Sequence, residues 1–425
     1  MSNYVEARRS PFGGGARDEN AGLIVAGNPS ARLERAAYYA VLGFVAALPF
    51  SIFASQVLLT VAGALWLAIT IRSHEQFDVP RMFWPLAAYG GATLVAAAFS
   101  VDPRTSLIDC KQLLLFAIVP ITYRVLSGRR ALTAIDVIIT AGALSAGIGL
   151  VQFGILQFDH LGQRPRGSLG MYMTYSGQLM LVACTATARI LFRKDERLWA
   201  ALVMPALVAA LAATLTRNVW IGACAGIGVL FLIRDFRLIA LVPVIAALFF
   251  ALAPPQLTER VYSSFRVKTL RHDSAATEAS VLSNRDRLAM LHSGWRIIKD
   301  DPLTGVGPDM VVRVYPHYRD PQAVQQLNSH LHNVPLQIAA ERGIPALLIW
   351  LWFVVTLLRD FFRARHATRV PSVVTAGLAC TVAMLAAGMF EYNFGDSEVL
   401  MLFLVLVTLP YAAERAPAEP APPLS

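Results

Sequence analysis

Two histidines and an asparagine precede one of the long apolar runs of this 425-residue chain. His330, His332 and Asn333 are followed by Pro335, and an asparagine and a proline in this order suit the N-cap and first turn of a helix. We therefore predict that His332 lies at a helix N-terminus, where free N–H groups and the helix dipole favour an anion. A histidine beside an anion site could act as the base of a group transfer. The alternatives are hydrogen bonding at a membrane interface or chance metal ligation.

Arginines flank the apolar runs at positions that suit a phosphate ligand. Arg217 joins two apolar runs, where an ionisable residue is costly unless it is paired. Its planar guanidinium fits a phosphate better than an ammonium does. Arg164 and Arg166 precede another apolar run, and Arg285 and Arg287 open an amphipathic stretch. We predict that these arginines bind a lipid diphosphate, with Arg287 preferred to Arg285; the alternative for each is a solvated or lipid-facing charge.

Carboxylates cluster in residues 391–398, near the end of the chain. Asp396 and Glu398 could pair with the arginines or orient the hydroxyl groups of a sugar, as could His330, Asn333 and Glu341. Glu341 could equally stabilise its own predicted helix. Three carboxylates without an accompanying histidine have little metal specificity, and we predict no metal site.

Composition restricts the class of protein. Hydrophobic residues make up 56% of the chain and charged residues only 15%, which is typical of a membrane protein. The net charge of +9 arises from basic residues scattered between apolar runs, so nucleic-acid binding is not expected. No nucleotide-binding motif is present, and we predict no cofactor.

Twelve segments are long and apolar enough to cross a bilayer, which needs ~20 apolar residues per helix. They are predicted at residues 37–53, 57–71, 83–99, 113–125, 135–156, 171–192, 199–215, 220–232, 238–252, 345–358, 373–390 and 399–411. Lys and Arg are concentrated in the connections that are cytoplasmic if the N-terminus is inside, so both termini are predicted to be cytoplasmic.

The predicted fold is an all-α polytopic membrane bundle with one large extracytoplasmic loop. Its parts are a disordered cytoplasmic tail (1–35), nine spans (36–253), the loop (254–333), three spans (334–413) and a second cytoplasmic tail (414–425). Within the loop, residues 284–299 are predicted to form an amphipathic helix that packs on the bundle through Leu288, Leu291, Trp295 and Ile298.

These motifs together resemble the O-antigen ligase and polymerase superfamily of bacterial envelope glycosyltransferases. The resemblance is carried by four parts in order: Thr216-Arg217, Arg287, Asp301-Pro302 with Gly305 and Gly307, and His332-Asn333 with Leu336, Gln337, Glu341 and Gly343. The sequence departs from the family in having Thr216 where Ser is usual and Asn218 where Gly is usual, which leaves the role of Arg217 intact. The short C-terminal end and residues 391–398 look more like ligases than polymerases.

The resemblance implies a GT-C-like enzyme of the bacterial inner membrane with a periplasmic active site. Its donor would be a glycan on undecaprenyl diphosphate, and its acceptor the lipid A core, with membrane lipids around both. His332 would take the acceptor's proton and the arginines would neutralise the diphosphate in a metal-independent, inverting transfer. The alternatives are an O-antigen polymerase, a protein O-oligosaccharyltransferase, and, from another class, a lipid-linked glycan flippase or transporter.

Overall fold

The fold is described by a computed structural model for residues 29–74, 76–160, 163–193, 196–240 and 275–415. Over these residues the chain is helical, with a single isolated β-bridge between His160 and Gln163. The α-helices are α1 (Pro29–Ala47), α2 (Ile52–Ser73), α3 (Phe83–Ala98), α4 (Pro103–Asp109), α5 (Ile118–Val125), α6 (Arg130–Gly154), α7 (Tyr172–Phe192), α8 (Arg197–Ala213), α9 (Arg217–Arg234), α10 (Ala275–Asp300), α11 (Val311–Tyr318), α12 (Val334–Ala364), α13 (Pro371–Gly388) and α14 (Ser397–Glu414).

Seven membrane-length apolar helices are present in the described part of the chain, and all seven coincide with predicted spans. They are α2, the continuous segment Pro103–Val125, α6, α9, α12, α13 and α14; α3 and α8 are apolar but shorter. The all-helical membrane architecture is therefore confirmed. The count of twelve and the side of the membrane on which the loop lies stay predictions, and most of the ninth predicted span lies outside the described residues.

Two predicted boundaries differ from the structure. Helix α1 begins at Pro29, inside the range predicted to be a disordered tail, because the polar residues at its start continue the helix beyond the apolar run. The chain then turns after Ala47, and Ser51 caps α2 by accepting a hydrogen bond from the amide of Ala54 at 3.2 Å. The end of the first predicted span therefore belongs to this turn and to α2.

The predicted packing face of the loop helix is wrong in part. Leu288, Leu291 and Trp295 are 52%, 42% and 56% exposed. Only Ile298 of the predicted set is buried, together with Met290 and Ile297 on the face that contacts the bundle. Both faces of α10 carry apolar residues at helical spacing, so periodicity alone could not choose between them.

Glycines bring α9 and α13 into close contact. A methyl group at Gly222 would lie 2.8 Å from the carbonyl oxygen of Ala383, and one at Gly226 would lie 2.7 Å from that of Ala379. Small residues at these positions let two membrane helices approach with their backbones nearly in contact. Moving from Gly222 to Gly226 along α9 moves the contact from Ala383 back to Ala379 on α13, so the two helices are antiparallel.

Helix α12 is broken at Gly343, whose φ of 79° lies in the left-handed region. The turn between α10 and α11 fills the break. The amide of Val306 donates to the carbonyl of Ala340 at 3.0 Å, and that of Gly307 donates to the carbonyl of Glu341 at 2.9 Å. The amide of Ile344 donates to the carbonyl of Pro302 at 2.8 Å. The loop is thereby fixed to the start of α12.

Candidate active site

Glu391 joins the two histidines that the sequence singled out. Nδ1 of His332 lies 2.9 Å from both carboxylate oxygens of Glu391, and Nε2 of His330 lies 3.0 Å from Oε1. The imidazole rings are 4.3 Å apart between centroids. An ionised carboxylate only accepts hydrogen bonds, so each facing ring nitrogen carries a proton. This leaves Nε2 of His332 as the nitrogen that can take a proton from a substrate.

The loop before α12 fixes the position of His332. Its φ of 49° is in the left-handed region, which residues other than glycine seldom adopt. Asn333 then caps α12, as predicted, by accepting from the amide of Leu336 at 2.9 Å, while its Nδ2 donates to the carbonyl of Met389 at 3.0 Å. Gln337 accepts from the amide of Leu331 at 2.7 Å. The histidine loop is thus tied both to α12 and to the end of α13.

Glu391 is a buried carboxylate that stays ionised. Burial alone would raise its pKa, but hydrogen bonds and charges from His330 and His332 outweigh burial and hold the pKa below its usual range. The amide of Tyr392 also donates to Oε1 at 3.1 Å. The negative charge stabilises an imidazolium on His332, which is the species that forms when this histidine accepts a proton.

Glu391 itself was missed as a site residue. The sequence analysis singled out residues 391–398 but chose Asp396 and Glu398 from them. Asp396 caps α14, accepting from the amides of Glu398 and Val399 and from the hydroxyl of Thr174 at 2.6 Å. Glu398 contacts the hydroxyl of Ser397 at 2.9 Å. These contacts explain both side chains as supports of the last helix.

The same three side chains are a possible set of metal ligands. His330, His332 and Glu391 each offer a ligand atom, all within 4.8 Å of one another. The argument that the carboxylates lack an accompanying histidine is therefore wrong for Glu391. Ligands ~2.0–2.1 Å from a tetrahedral Zn²⁺ lie roughly 3.3 Å apart, whereas the observed separations of 2.9–3.0 Å fit hydrogen bonds.

Three of the predicted arginines form a cluster. The charges of Arg287 and Arg164 both act on that of Arg217, which places the three side chains within electrostatic range. The guanidinium of Arg164 also lies over the ring of Tyr172, 4.2 Å from its centroid, and burial lowers the pKa of Arg164. Like charges held together disfavour one another, and an anion among them removes that cost.

The other two predicted arginines make different contacts. Nε of Arg285 donates to the carbonyl of Gln322 at 3.0 Å, which ties α10 to the loop. The backbone amide of Arg166 donates to Oε1 of Gln152 at 2.9 Å, and its guanidinium lies 5.6 Å from the ring centroid of Phe158. The preference for Arg287 over Arg285 agrees with these contacts.

The arginine cluster and the histidines lie at the same end of the bundle. In the register of α9 against α13, Gly222 meets Ala383 and Gly226 meets Ala379, so Arg217 comes level with Gly388. That residue ends α13, three positions before Glu391. The contact of Thr174 with Asp396 brings the start of α7, with Tyr172 and its arginine, to the same connection.

Glu341 supports the site from inside α12. Its carboxylate pairs with Arg342 at 2.7 Å, and both side chains are nearly inaccessible to solvent. Arg342 also donates to the hydroxyl of Tyr392 at 3.3 Å, the neighbour of Glu391. Of the two roles left open for Glu341, orienting and stabilising, the structure favours a positioning role through Arg342 and Tyr392.

Comparison with known proteins agrees with the motifs. A family model described as O-antigen ligase matches residues 200–351, a range that contains α9, the described part of the loop, the histidines and the break in α12. No curated protein matches the chain. The resemblance to the O-antigen ligase family is confirmed.

Proposed function

We propose that this multi-pass membrane protein of the O-antigen ligase family transfers a polysaccharide from undecaprenyl diphosphate to a sugar of the lipid A core. The observation that carries the proposal is His332, held by the buried carboxylate of Glu391 at the level of the cluster Arg217, Arg287 and Arg164. A base beside a site for an oxygen-rich anion is what glycosyl transfer from a lipid diphosphate requires. The family match supports the proposal, since the matching model is described as O-antigen ligase.

The reaction forms one glycosidic bond and breaks one. The acceptor hydroxyl attacks the anomeric carbon of the donor sugar while Nε2 of His332 takes its proton. The bond from that carbon to the diphosphate oxygen breaks with its electron pair, and undecaprenyl diphosphate leaves. Attack from the face opposite the leaving group inverts the anomeric carbon, and the proton on His332 passes to solvent before the next turnover.

His332 and the arginines contribute differently to the rate enhancement. A positioned general base contributes ~10²–10⁴-fold. Preorganised positive charges at a developing anion often supply the largest single contribution, and here the guanidinium groups face the charge that builds on the diphosphate. These fixed charges can do the work of a divalent metal, so we propose that the transfer is metal-independent and uses no cofactor.

Orientation and substrates belong to the same proposal. The site faces the periplasm of a bacterial inner membrane, with both termini in the cytoplasm. The undecaprenyl chain lies between membrane helices while the described part of the loop, residues 275–333, covers the reacting centre. No nucleotide is needed, because the diphosphate–sugar bond carries the free energy.

The test is a reconstitution. Purified protein in proteoliposomes receives undecaprenyl-diphosphate-linked glycan and lipid A-core, and product formation is compared for wild type, His332→Ala, Arg217→Ala and the exposed control Arg359→Ala. We expect ligated product from wild type and the control, and at least a ~10²-fold loss in the other two. Lengthening of the lipid-linked glycan would identify a polymerase, and glycan translocation without a new bond would identify a transporter.

A further inference from the structure

The loop helix α10 has an apolar stripe on its exposed face. Leu288, Leu291 and Trp295 are 52%, 42% and 56% exposed, and at the turn of an α-helix they fall within ~60° of one another around α10. The opposite face packs on the bundle through buried residues such as Met290 and Ile297. Exposed apolar side chains that lie together and are bordered by polar residues mark a site that contacts a membrane or another protein.

Basic side chains border the stripe on both sides. Arg287 precedes Leu291 by ~40° around the helix. On the other side, Lys299 and Arg296 lie within ~80° of the edge of the stripe, and both are exposed. Nζ of Lys299 lies 5.6 Å from the ring centroid of Trp295. Leucine and tryptophan between lysine and arginine are the composition of a helix that lies in a membrane interface, where anionic head groups complement the cations.

Helix α10 runs beside the first segment of α12, residues 334–342. A methyl group at Gly294 would lie 2.7 Å from Cδ2 of Leu336. Further along both segments, the amide of Ile344 donates to the carbonyl of Pro302 at 2.8 Å. The two segments therefore advance together and run in the same direction.

This first segment of α12 has both of its ends at the level where membrane helices end. At its start, Cγ2 of Val334 lies 3.1 Å from the position of a methyl group on Gly388, the last residue of α13. At its other end, Gly343 breaks the helix, and the apolar span predicted at residues 345–358 begins directly afterwards. A segment with both ends at this level runs along the membrane surface and not across the membrane, and α10 runs along the surface beside it.

The stripe continues into a surface that faces lipid. Leu303, just after α10, is 73% exposed, and its carbonyl oxygen lies 2.1 Å from the position of a methyl group on Gly343. Ile344 and Leu348 follow along α12 and are 41% and 59% exposed, as expected of apolar side chains that face lipid from a membrane span. Exposed apolar surface thus extends from the span through Leu303 to Trp295.

We infer that the stripe of α10 lies in the head-group region of the bilayer, with Leu291 and Trp295 at its apolar edge. Tryptophan is enriched at this depth. Lys299 and Arg296 then contact the phosphates of anionic lipids. The membrane contact itself requires only a multi-pass membrane protein. A consequence rests on the proposed function: because α10 also carries Arg287, its seat on the bilayer holds this arginine at the depth of a lipid diphosphate.

The depth of the stripe is measured with nitroxide labels on single cysteines, which requires no substrate. The full-length protein, with its four native cysteines replaced by alanine, is reconstituted in vesicles of phosphatidylethanolamine and phosphatidylglycerol. Power saturation then compares access of oxygen and of a water-soluble nickel complex. We expect the label at Leu291→Cys to lie ~5–10 Å inside the phosphate plane. The references are Leu348→Cys, expected deeper, and Gln326→Cys, at an exposed position of the same loop, expected in water.

Two results would overturn the inference. A label at Leu291→Cys as accessible to nickel as the label at Gln326→Cys would place the stripe in water. A label at Leu291→Cys shielded from both oxygen and nickel would show that protein covers the stripe, from this chain or from a second molecule.

Lipid charge tests the role of the cations. Replacing phosphatidylglycerol with phosphatidylcholine should raise the nickel accessibility of the label at Leu291→Cys by ~2-fold or more, because the attraction of Lys299 and Arg296 to the surface is lost. The double variant Lys299→Glu and Arg296→Glu should give the same rise in vesicles that contain phosphatidylglycerol. Unchanged accessibility in both experiments would contradict the contact with anionic head groups.

Transfer kinetics tests the consequence for the donor. Leu291→Asp places a charge in the stripe, and Leu327→Asp makes the same change at a leucine of the loop that is 62% exposed. We expect kcat/KM for the lipid-linked donor to fall ~10-fold or more for Leu291→Asp, because Arg287 is displaced, with the control and both melting temperatures near wild type. An unchanged kcat/KM would refute the role of α10 in setting the depth of Arg287.

The measurements separate failure of the inference from failure of the proposed function. A label at Leu291→Cys inside the phosphate plane, in a protein that forms no ligated product, would refute the proposed function and retain the membrane contact. A label in water, in a protein that ligates normally, would refute the membrane contact alone.

Discussion

His332 has its position set by the backbone and its orientation set by a charge. The left-handed φ of 49° turns the side chain out of the loop before Asn333 starts α12. Both oxygens of Glu391 then bind Nδ1 at 2.9 Å, so Nε2 is the ring nitrogen that does not face this carboxylate. Left-handed conformations of residues other than glycine often mark functional positions, because the surrounding structure must stabilise them.

The histidines and Arg217 could be predicted from sequence because each stands in a local motif beside an apolar run. Glu391 could not, because its partners lie 59 and 61 residues earlier in the chain and meet it only when α12 and α13 pack together. A cluster of carboxylates near the end of the chain was the available signal. Which member faces the histidines depends on where α13 ends, and periodicity does not fix helix ends that closely.

At the residue scale, the arginine cluster predicts that transfer depends on the planar shape of the Arg217 guanidinium and not only on its positive charge. Arg217→Lys keeps the charge and removes the planar pair of donors that fits a diphosphate. We expect the transfer rate to fall ~10-fold or more, whereas Arg285→Lys should leave the rate within about twofold, since Arg285 contacts Gln322. The measurement is kcat/KM for the donor. Equal effects of the two changes would show that the three clustered arginines do not form the diphosphate site.

Two glycines allow close contact between the break in α12 and the turn that fills it. A methyl group at Gly305 would lie 2.4 Å from the backbone carbon of Glu341, and one at Gly343 would lie 2.1 Å from the carbonyl oxygen of Leu303. Both glycines also have positive φ. The proline-glycine turn and the Glu-x-Gly motif are therefore two sides of one contact.

Gly305→Ala tests this contact. The added methyl group must displace backbone, and overpacking costs ~1–3 kcal/mol in addition to ~1 kcal/mol for the left-handed conformation. We expect the melting temperature in detergent to fall by ~2–5 °C. The control is Gly147→Ala in α6, where nothing lies within 4 Å of the added methyl group. An unchanged melting temperature for Gly305→Ala would show that the turn does not clamp α12.

The buried carboxyl group of Asp396, at the start of α14, predicts that the stability of the folded protein depends on pH. Burial raises its pKa from 3.8 to about 6 despite three hydrogen bonds to the carboxylate. A carboxyl group with a raised pKa in the folded state opposes folding increasingly as the pH rises from 3.8 towards 6. Asp396→Asn keeps a capping oxygen without the charge, so it should remove this decline and melt higher than wild type at pH 7. A lower melting temperature for the variant at pH 7 would show that the charge stabilises the cap.

At the element scale, the apolar spans were predictable because a bilayer demands long apolar helices and the chain has room for little else. The loop helix α10 could be predicted from the helical spacing of its apolar residues, but the face on which it packs could not. Asp286 is buried because it accepts the amides of Val324 and Gln325 at 3.0 and 3.1 Å. A buried aspartate on the packing face and an exposed Trp295 reverse the ordinary expectation.

At the scale of the whole molecule, α13 connects the end of the bundle that carries Arg217 with the histidines and Glu391. Helix α9, which begins at Arg217, packs on one face of α13, and an apolar cavity of about 430 Å³ lies on another face, between α13, α12 and α14. Glu391 follows three residues after α13 ends. None of this could be predicted from sequence, because it depends on which faces of α13 meet α9 and α12.

Metal dependence is a prediction about the molecule as a whole, because the arginine cluster and the histidine–carboxylate set offer two ways to stabilise the leaving group. We expect transfer to be unchanged by EDTA, since fixed guanidinium charges need no ion. The assay is product formation in metal-free buffer, with and without added Zn²⁺, Mg²⁺ or Mn²⁺. Loss of activity with EDTA and its return with one of these ions would assign His330, His332 and Glu391 as metal ligands.

The most direct test of the account concerns Glu391. Single-turnover transfer from saturating lipid-linked donor is measured for wild type, Glu391→Gln, His332→Ala and the exposed control Glu414→Gln, each shown to be folded by its melting temperature. We predict that Glu391→Gln lowers the transfer rate by ~10²-fold or more, because the uncharged amide no longer stabilises the imidazolium on His332, while the rate of the control stays within about threefold of wild type. A folded Glu391→Gln protein that transfers glycan at the wild-type rate would contradict the assignment of His332 and Glu391 as the base and its support.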